Sequence, residues 1–325
     1  MPSRSRPARQ AGRSGPGRSG HAVRPAGAGG VGRRSGGAAA AGEVSTARWI
    51  LRRKVLDVPD RRGIFISGDG FTAPETTDET MNRNGLVLWE GPSALTGEPI
   101  VVIATGLKRK SKNGKIGEHT IQVWYLPRDV APNVAVKTGA DASVCGDCKH
   151  RPSTGGACYV VTYQAPRAVW QAYRDDSYAS WDGSLKPFAG KVVRFGAWGD
   201  PAAVPADLLA PIRDVARRHM AYTHQWRSAP HLRSWCMASV DSLPEYLRAR
   251  SAGWRTFRVR GPDETLQERE RMCPAAEESP VADLMDCGKC SGCDGLTRGA
   301  KRPSFAIVVH GGRSSRFNHS QGGAS

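Results

Sequence analysis

The chain has no run of about eighteen apolar residues, which excludes a membrane-spanning helix. Its basic N-terminus has no apolar core of the kind a secretion signal carries, since the alanine run at 38–41 is too short and too weakly apolar. A cytoplasmic protein is therefore expected. Acidic residues are missing from positions 1–42, which hold eight arginines among Gly, Ala, Ser and Pro. Such a stretch cannot bury enough apolar surface to fold. Cysteines number only eight in 325 residues, which excludes a disulfide-built miniprotein.

What is present divides the chain. Residues 1–42 are expected to be a disordered basic tail and 43–80 a linker of little structure. Residues 81–312 would form a single α/β domain, and 313–325 a second disordered tail. Met81 is a candidate natural start, because strand patterning begins directly after it. The 39% hydrophobic content is enough for a core. The formal charge of +17 is partly a property of the tail, but from Met81 onward there are still 33 Lys+Arg against 23 Asp+Glu. That excess allows an acidic partner such as nucleic acid without requiring one.

Seven of the eight cysteines fall into two groups. The later one reads Cys287-x2-Cys290-x2-Cys293, with Cys273 as the fourth thiol, separated from Cys287 by thirteen residues. Gly288, Gly292 and Gly295 let so short a backbone turn its thiolates inward. Four thiolates suit either a tetrahedral zinc or a 4Fe-4S cluster, and gaps of two residues throughout favour the cluster. The earlier group is Cys145-x2-Cys148 followed by Cys158. His150 would complete a zinc site there as a fourth ligand, whereas three thiolates alone leave a coordination position for water or substrate. Cys236 belongs to neither group and is expected to be a buried free thiol.

Strand patterning appears at 86–89, 100–104 and 120–125, separated by turn formers. A basic turn at 108–115 carries an Asn-Gly hairpin signal and is a candidate phosphate-contacting loop. Further on, helical and extended segments alternate. Helices are expected at 166–173 and 205–218, and a third follows the capping box Ser242…Glu245. Strands are expected at 191–197, 220–222, 235–240, 254–259 and 305–310. Such alternation implies parallel strands, and we expect a TIM-like barrel, complete or partial, with a β-rich lead-in. Polar residues just past the strand ends, Asp200, His224, Asp241, Arg260 and His310, would then share the rim where barrels place their active sites. Asp200, His224 and Asp241 are the candidate catalytic residues, although Asp200 and Asp241 also suit helix capping.

The order Cys145…Cys158-Tyr159, then the segment from Arg194 to Asp200, then Ala221-Tyr222-Thr223-His224, then the C-terminal cysteines and His310-Gly311 resembles a family of uncharacterised bacteriophage proteins with a radical-SAM-like barrel. The resemblance covers roughly residues 85–312. It implies that Cys145, Cys148 and Cys158 hold a cluster that binds S-adenosylmethionine, and that Cys273, Cys287, Cys290 and Cys293 hold an auxiliary cluster. Radical-SAM enzymes usually carry C-x3-C-x2-C, whereas this chain has C-x2-C-x9-C with Tyr159 after the last cysteine, so the loop is rebuilt. Gly155-Gly156 is the nearest glycine pair for the methionine amine.

Two readings follow. One is an iron–sulfur enzyme with an unknown substrate, in which the cofactor does one-electron chemistry and the protein positions the substrate. The other is a non-enzymatic module stapled by zinc, gripping nucleic acid with its basic surface and with Trp124, Trp198, Trp226 and Trp254.

Overall fold

A computed structural model describes residues 84–111 and 114–317, all within one compact unit. The basic tail 1–42, the segment 43–80, Met81, Asn113 of the hairpin turn and residues 318–325 lie outside the described residues.

Three strands come first: β1 (Gly85–Pro92), β2 (Pro99–Thr105) and β3 (Thr120–Pro127). They pair antiparallel, with Ile103 opposite Trp124 and Val102 opposite Tyr125. Then come α1 (Pro132–Thr138), α2 (Ala142–Cys145), α3 (Ala165–Arg174) and the short β4 (Ala179–Ser180), which returns to pair with β1. The chain next alternates: β5 (Val192–Phe195), α4 (Ala210–Val215), β6 (Arg218–Thr223), β7 (Met237–Val240), α5 (Leu243–Ser251) and β8 (Thr256–Arg260). It closes with β9 (Glu270–Met272), α6 (Cys287–Cys290) and β10 (Ser304–Val308).

All ten strands join one sheet in the order β4-β1-β2-β3-β5-β6-β7-β8-β10-β9. From β3 to β9 every neighbouring pair is parallel, as the alternation of helix and strand implies. Every strand expected from residue 85 onward is present. The helix expected over 205–218 is confined to Ala210–Val215, because a loop runs on from Pro205 and Pro211 sets the first helical turn. Order also extends past 312: Ser314–Arg316 form a 3-10 turn and Phe317 is buried.

The pleat decides what each strand residue faces, since successive side chains point to opposite sides. On one side Val193, Phe195, Ala221, Ala238 and Val240 enter the main core with Ile212, Leu232, Trp235 and Trp254. On the other side Val192, Met220, Met237 and Phe305 form a second cluster with Cys293. That second side is the one from which the cavity opens.

Candidate functional site

One cavity of about 320 Å³ lies against this face. Alternate residues of adjacent strands form its floor: Arg194, Met220 and Tyr222, Ser239, Phe257 and Val259, Phe305 and Ile307. Asp200, His224, Asp241 and His310, each just beyond a strand end, also line it. All seven grouped cysteines stand on its wall. Cys236 is fully buried in the main core, away from that wall.

The earlier cysteines sit in the connection between α2 and α3. Cys145 ends α2, and the Cys158 N–H donates to the His150 carbonyl, which folds the loop back on itself. Gly156 makes that return possible: a Cβ there would lie 2.4 Å from the backbone of His150. A buried pair braces the loop. Arg151 Nη2 donates to Asp141 Oδ1 at 2.9 Å, and Arg151 also donates to the carbonyls of Gly139 and Gly146. Gln225, just past β6, donates from Nε2 to the Cys145 carbonyl and ties the loop to the sheet.

The later cysteines are held differently. Cys273 follows β9, and its N–H donates to Ala306 of β10. Asp286 caps α6 by accepting from Lys289 N–H, so Cys287 and Cys290 share a single helical turn. Arg255, immediately before β8, is fully buried and clamps the segment that follows Cys290. Its guanidinium donates to Asp294 at 2.8 Å and to the carbonyls of Gly292, Gly295 and Pro303. Arg298 and Arg302 complete the ring around Asp294.

Burial opposes ionisation of Cys145, Cys148, Cys158, Cys273, Cys287 and Cys293. Burial pushes Cys148 up to about 12 and Cys158 and Cys273 up to about 11. Cys145 and Cys293 lie well above the usual thiol range, mainly through burial and further through their own group. For Cys145 those neighbours are Cys148 and Cys158, and for Cys293 they are Cys273, Cys287 and Cys290. Several sulfurs nevertheless have donors waiting. Backbone N–H groups of His150, Val160 and Ala275 point to Cys148, Cys158 and Cys273, each two residues along the chain, and the Tyr222 hydroxyl points to Cys293. Such donors stabilise a thiolate once its proton has left.

The sulfur spacing bears on which metal fits. Among the described residues, no set of three cysteines has all its sulfurs within 4.8 Å of one another. Four sulfurs around one zinc would stand about 3.8 Å apart, given zinc–sulfur bonds of about 2.3 Å. Of the pair Gly155-Gly156, Gly156 is packed against the His150 backbone, whereas a Cβ at Gly155 would meet nothing within 4 Å.

The candidate catalytic residues divide into two kinds. Asp200 is buried and already engaged: it accepts from Ala202 N–H, the Thr223 hydroxyl and His224 N–H. Burial raises its pKa, and those hydrogen bonds offset part of the rise. Asp200 therefore caps and positions. Asp241 is buried too, but burial loses to the imidazoles of His150 and His224 and to Lys149, which hold its carboxyl below the usual range. The capping duty at α5 falls to Ser242, with Glu245 accepting from Asp241 N–H. His150 turns towards His224 and Asp241, with ring centroids 5.9 Å apart between the two imidazoles.

Arg194 escaped the sequence reading. It stands on the cavity face of β5, donates to the Tyr159 hydroxyl beside the earlier group, and offsets part of the rise that burial imposes on the Cys287 thiol in the later one. Burial works against its charge, yet Tyr159, Tyr222 and Cys287 outweigh that and raise its pKa. An arginine inside an apolar strand, Val192-Val193-Arg194-Phe195, was the available signal. The rim arginines resolve otherwise: Arg258 points away from the cavity and pairs bidentately with buried Glu270, and Arg260 bonds carbonyls of the following loop.

No protein-family model, curated protein or solved structure matches this chain.

Proposed function

We propose that this chain is an iron–sulfur protein of radical-SAM-like type that carries out one-electron chemistry on a small molecule held in the cavity. The supporting observation is that seven thiols, in groups of three and four, line one wall of one cavity. Cys273, Cys287, Cys290 and Cys293 would hold a cluster with every iron ligated by protein. Cys145, Cys148 and Cys158 would hold one with an open iron facing the cavity. Bound there, such a cluster supplies electrons one at a time. The chain's own residues do the rest. Arg194 presents a half-buried cation to an anionic substrate group. Phe257, Val259, Phe305 and Ile307 exclude water, and Asp200 fixes the backbone of His224 at the rim. S-adenosylmethionine enters this reading only through the family resemblance, since Gly156 of the glycine pair is packed against the His150 backbone.

We also propose that the parallel strands curve towards a TIM-like barrel, complete or partial. Residues from β5, β6, β7, β8 and β10 converge on one cavity, as the inward positions of a barrel do. The family resemblance and a phage setting remain part of the proposal.

The zinc module is the weaker reading. Trp124, Trp198, Trp226 and Trp254 are all at most 5% exposed and cannot stack on bases. Anaerobic purification decides between the two. The proposal expects brown protein absorbing near 400 nm with about eight irons per chain, on the basis of two four-iron clusters. Colourless protein with stoichiometric zinc, unable to take up iron and sulfide, would overturn it.

A further inference from the structure

His150 is 8% exposed; its Nε2 lies 2.9 Å from Asp241 Oδ2, off the axis of a good hydrogen bond, and its Nδ1 makes no hydrogen bond among the described residues. Leaving a buried polar group unsatisfied costs about 1–3 kcal/mol, so an imidazole placed this way calls for a partner of another kind. Its surroundings hold it in place: the ring stacks on Phe317 at 5.8 Å with planes 8° apart and meets His224 edge-on. Ligand atoms of His150, His224 and Asp241 all lie within 4.8 Å of one another. Distance and direction disagree for one contact: His150 Nε2 is 2.9 Å from Asp241 Oδ2, yet it fails hydrogen-bond geometry. Direction decides, because a hydrogen bond weakens steeply off its axis. Two ligand atoms aimed at a common ion show this relation: at about 2.1 Å from an octahedral metal, adjacent donors stand about 3 Å apart.

We propose that His150, His224 and Asp241 bind one divalent ion of the borderline class, such as Fe(II), Mn(II) or Zn(II), separately from the thiols. Three sequence-distant elements build the site: the loop after Cys148, the residue past β6 and the residue past β7. Two imidazoles and one carboxylate on one side of an ion leave its remaining positions open. All three residues line the cavity, so those positions suit an oxygen donor of the substrate, a carboxylate or hydroxyl, or a water. The one cation nearby, Lys149, is 3.6 Å from Asp241 Oδ2 and closer to Glu245 Oε2, at 3.3 Å. The site stands on these three side chains whether the thiols hold iron or zinc.

Mn(II) is the probe, because it prefers nitrogen and oxygen donors to thiolates. The full chain, its cysteines first loaded anaerobically, is titrated with Mn(II) and free ion is followed by electron paramagnetic resonance. One bound Mn(II) per chain is expected, with spin-echo modulation from two imidazole nitrogens. His224→Ala and Asp241→Asn should each weaken binding at least tenfold while thiol-bound metal is unchanged. Absence of Mn(II) binding by the wild type, absence of imidazole modulation, or equal binding in both variants would overturn the site. So would loss of thiol-bound metal in His150→Ala with Mn(II) binding intact, which would make His150 a ligand of the earlier cysteines. Failure of iron loading counts only against the iron–sulfur reading, since the Mn(II) titration then proceeds on zinc-loaded protein.

Discussion

The two cysteine groups are braced alike and finished differently. Each leans on a buried aspartate paired with an arginine that also collects backbone carbonyls: Asp141 with Arg151 for the earlier group, Asp294 with Arg255 for the later. The later group then gains a fourth thiol, brought by β9 from outside the C-x2-C-x2-C turn. The earlier group gains no fourth sulfur; the residue two past Cys148 is a histidine directed at His224 and Asp241. On the proposed reading, similar bracing around unequal ligand sets would separate a closed centre, suited to stability or electron storage, from one with room for a substrate.

The strongest way to break the comparison is Arg255→Met. It removes a fully buried guanidinium and leaves Asp294 and three carbonyls short of donors, at a cost of about 3 kcal/mol. Metal analysis should show the later group losing its ion while the earlier keeps its own. The mirror experiment is Gly156→Ala, where the new Cβ meets the His150 backbone and overpacking costs about 2 kcal/mol. Here the earlier group should empty and the later stay loaded.

Removing metal from both groups sharpens the contrast through pH. Cys148, Cys158 and Cys273 have folded pKa values of about 11 to 12, above the unfolded thiol value of about 8.5. Between those values the folded state holds protons that the unfolded state has released, so stability falls as pH rises. Chemical denaturation of chelated, reduced protein should show each thiol costing about 2 kcal/mol by pH 10. Metal-loaded protein, its thiolates already deprotonated, should lack that slope. A flat profile in the metal-free protein would mean that these thiols are not buried as described. The smallest effect belongs to Cys236→Ala: roughly 1 kcal/mol of stability and unchanged metal content at both groups. A drop in metal content would bring Cys236 into one of them.

Much of the local organisation was legible beforehand. Runs rich in β-branched residues marked 100–104 and 120–125 as strands, Ser242 and Glu245 marked the start of α5, and C-x2-C spacing marked two groups of thiols. Less legible was the division of labour at the rim. Asp200 and Asp241 look alike in sequence, each following a strand and preceding a helix or turn. One is saturated by three donors and the other faces two imidazoles. Arg258 and Arg194 likewise both sit inside strands, and only the pleat relative to neighbouring strands sends one to Glu270 and the other into the cavity.

The amino-acid sequence alone determined most of the longer strands, the start of α5, which thiols fall close together along the chain and where a backbone must be glycine, because those depend on neighbours a few residues away. Tertiary structure alone decided that Cys145 and Cys293 share a cavity, that His150 turns to His224 and Asp241, and that the tryptophans are buried. The physical reason is that a strand's period of two fixes which residues share a face, whereas pairing across the sheet fixes what that face meets.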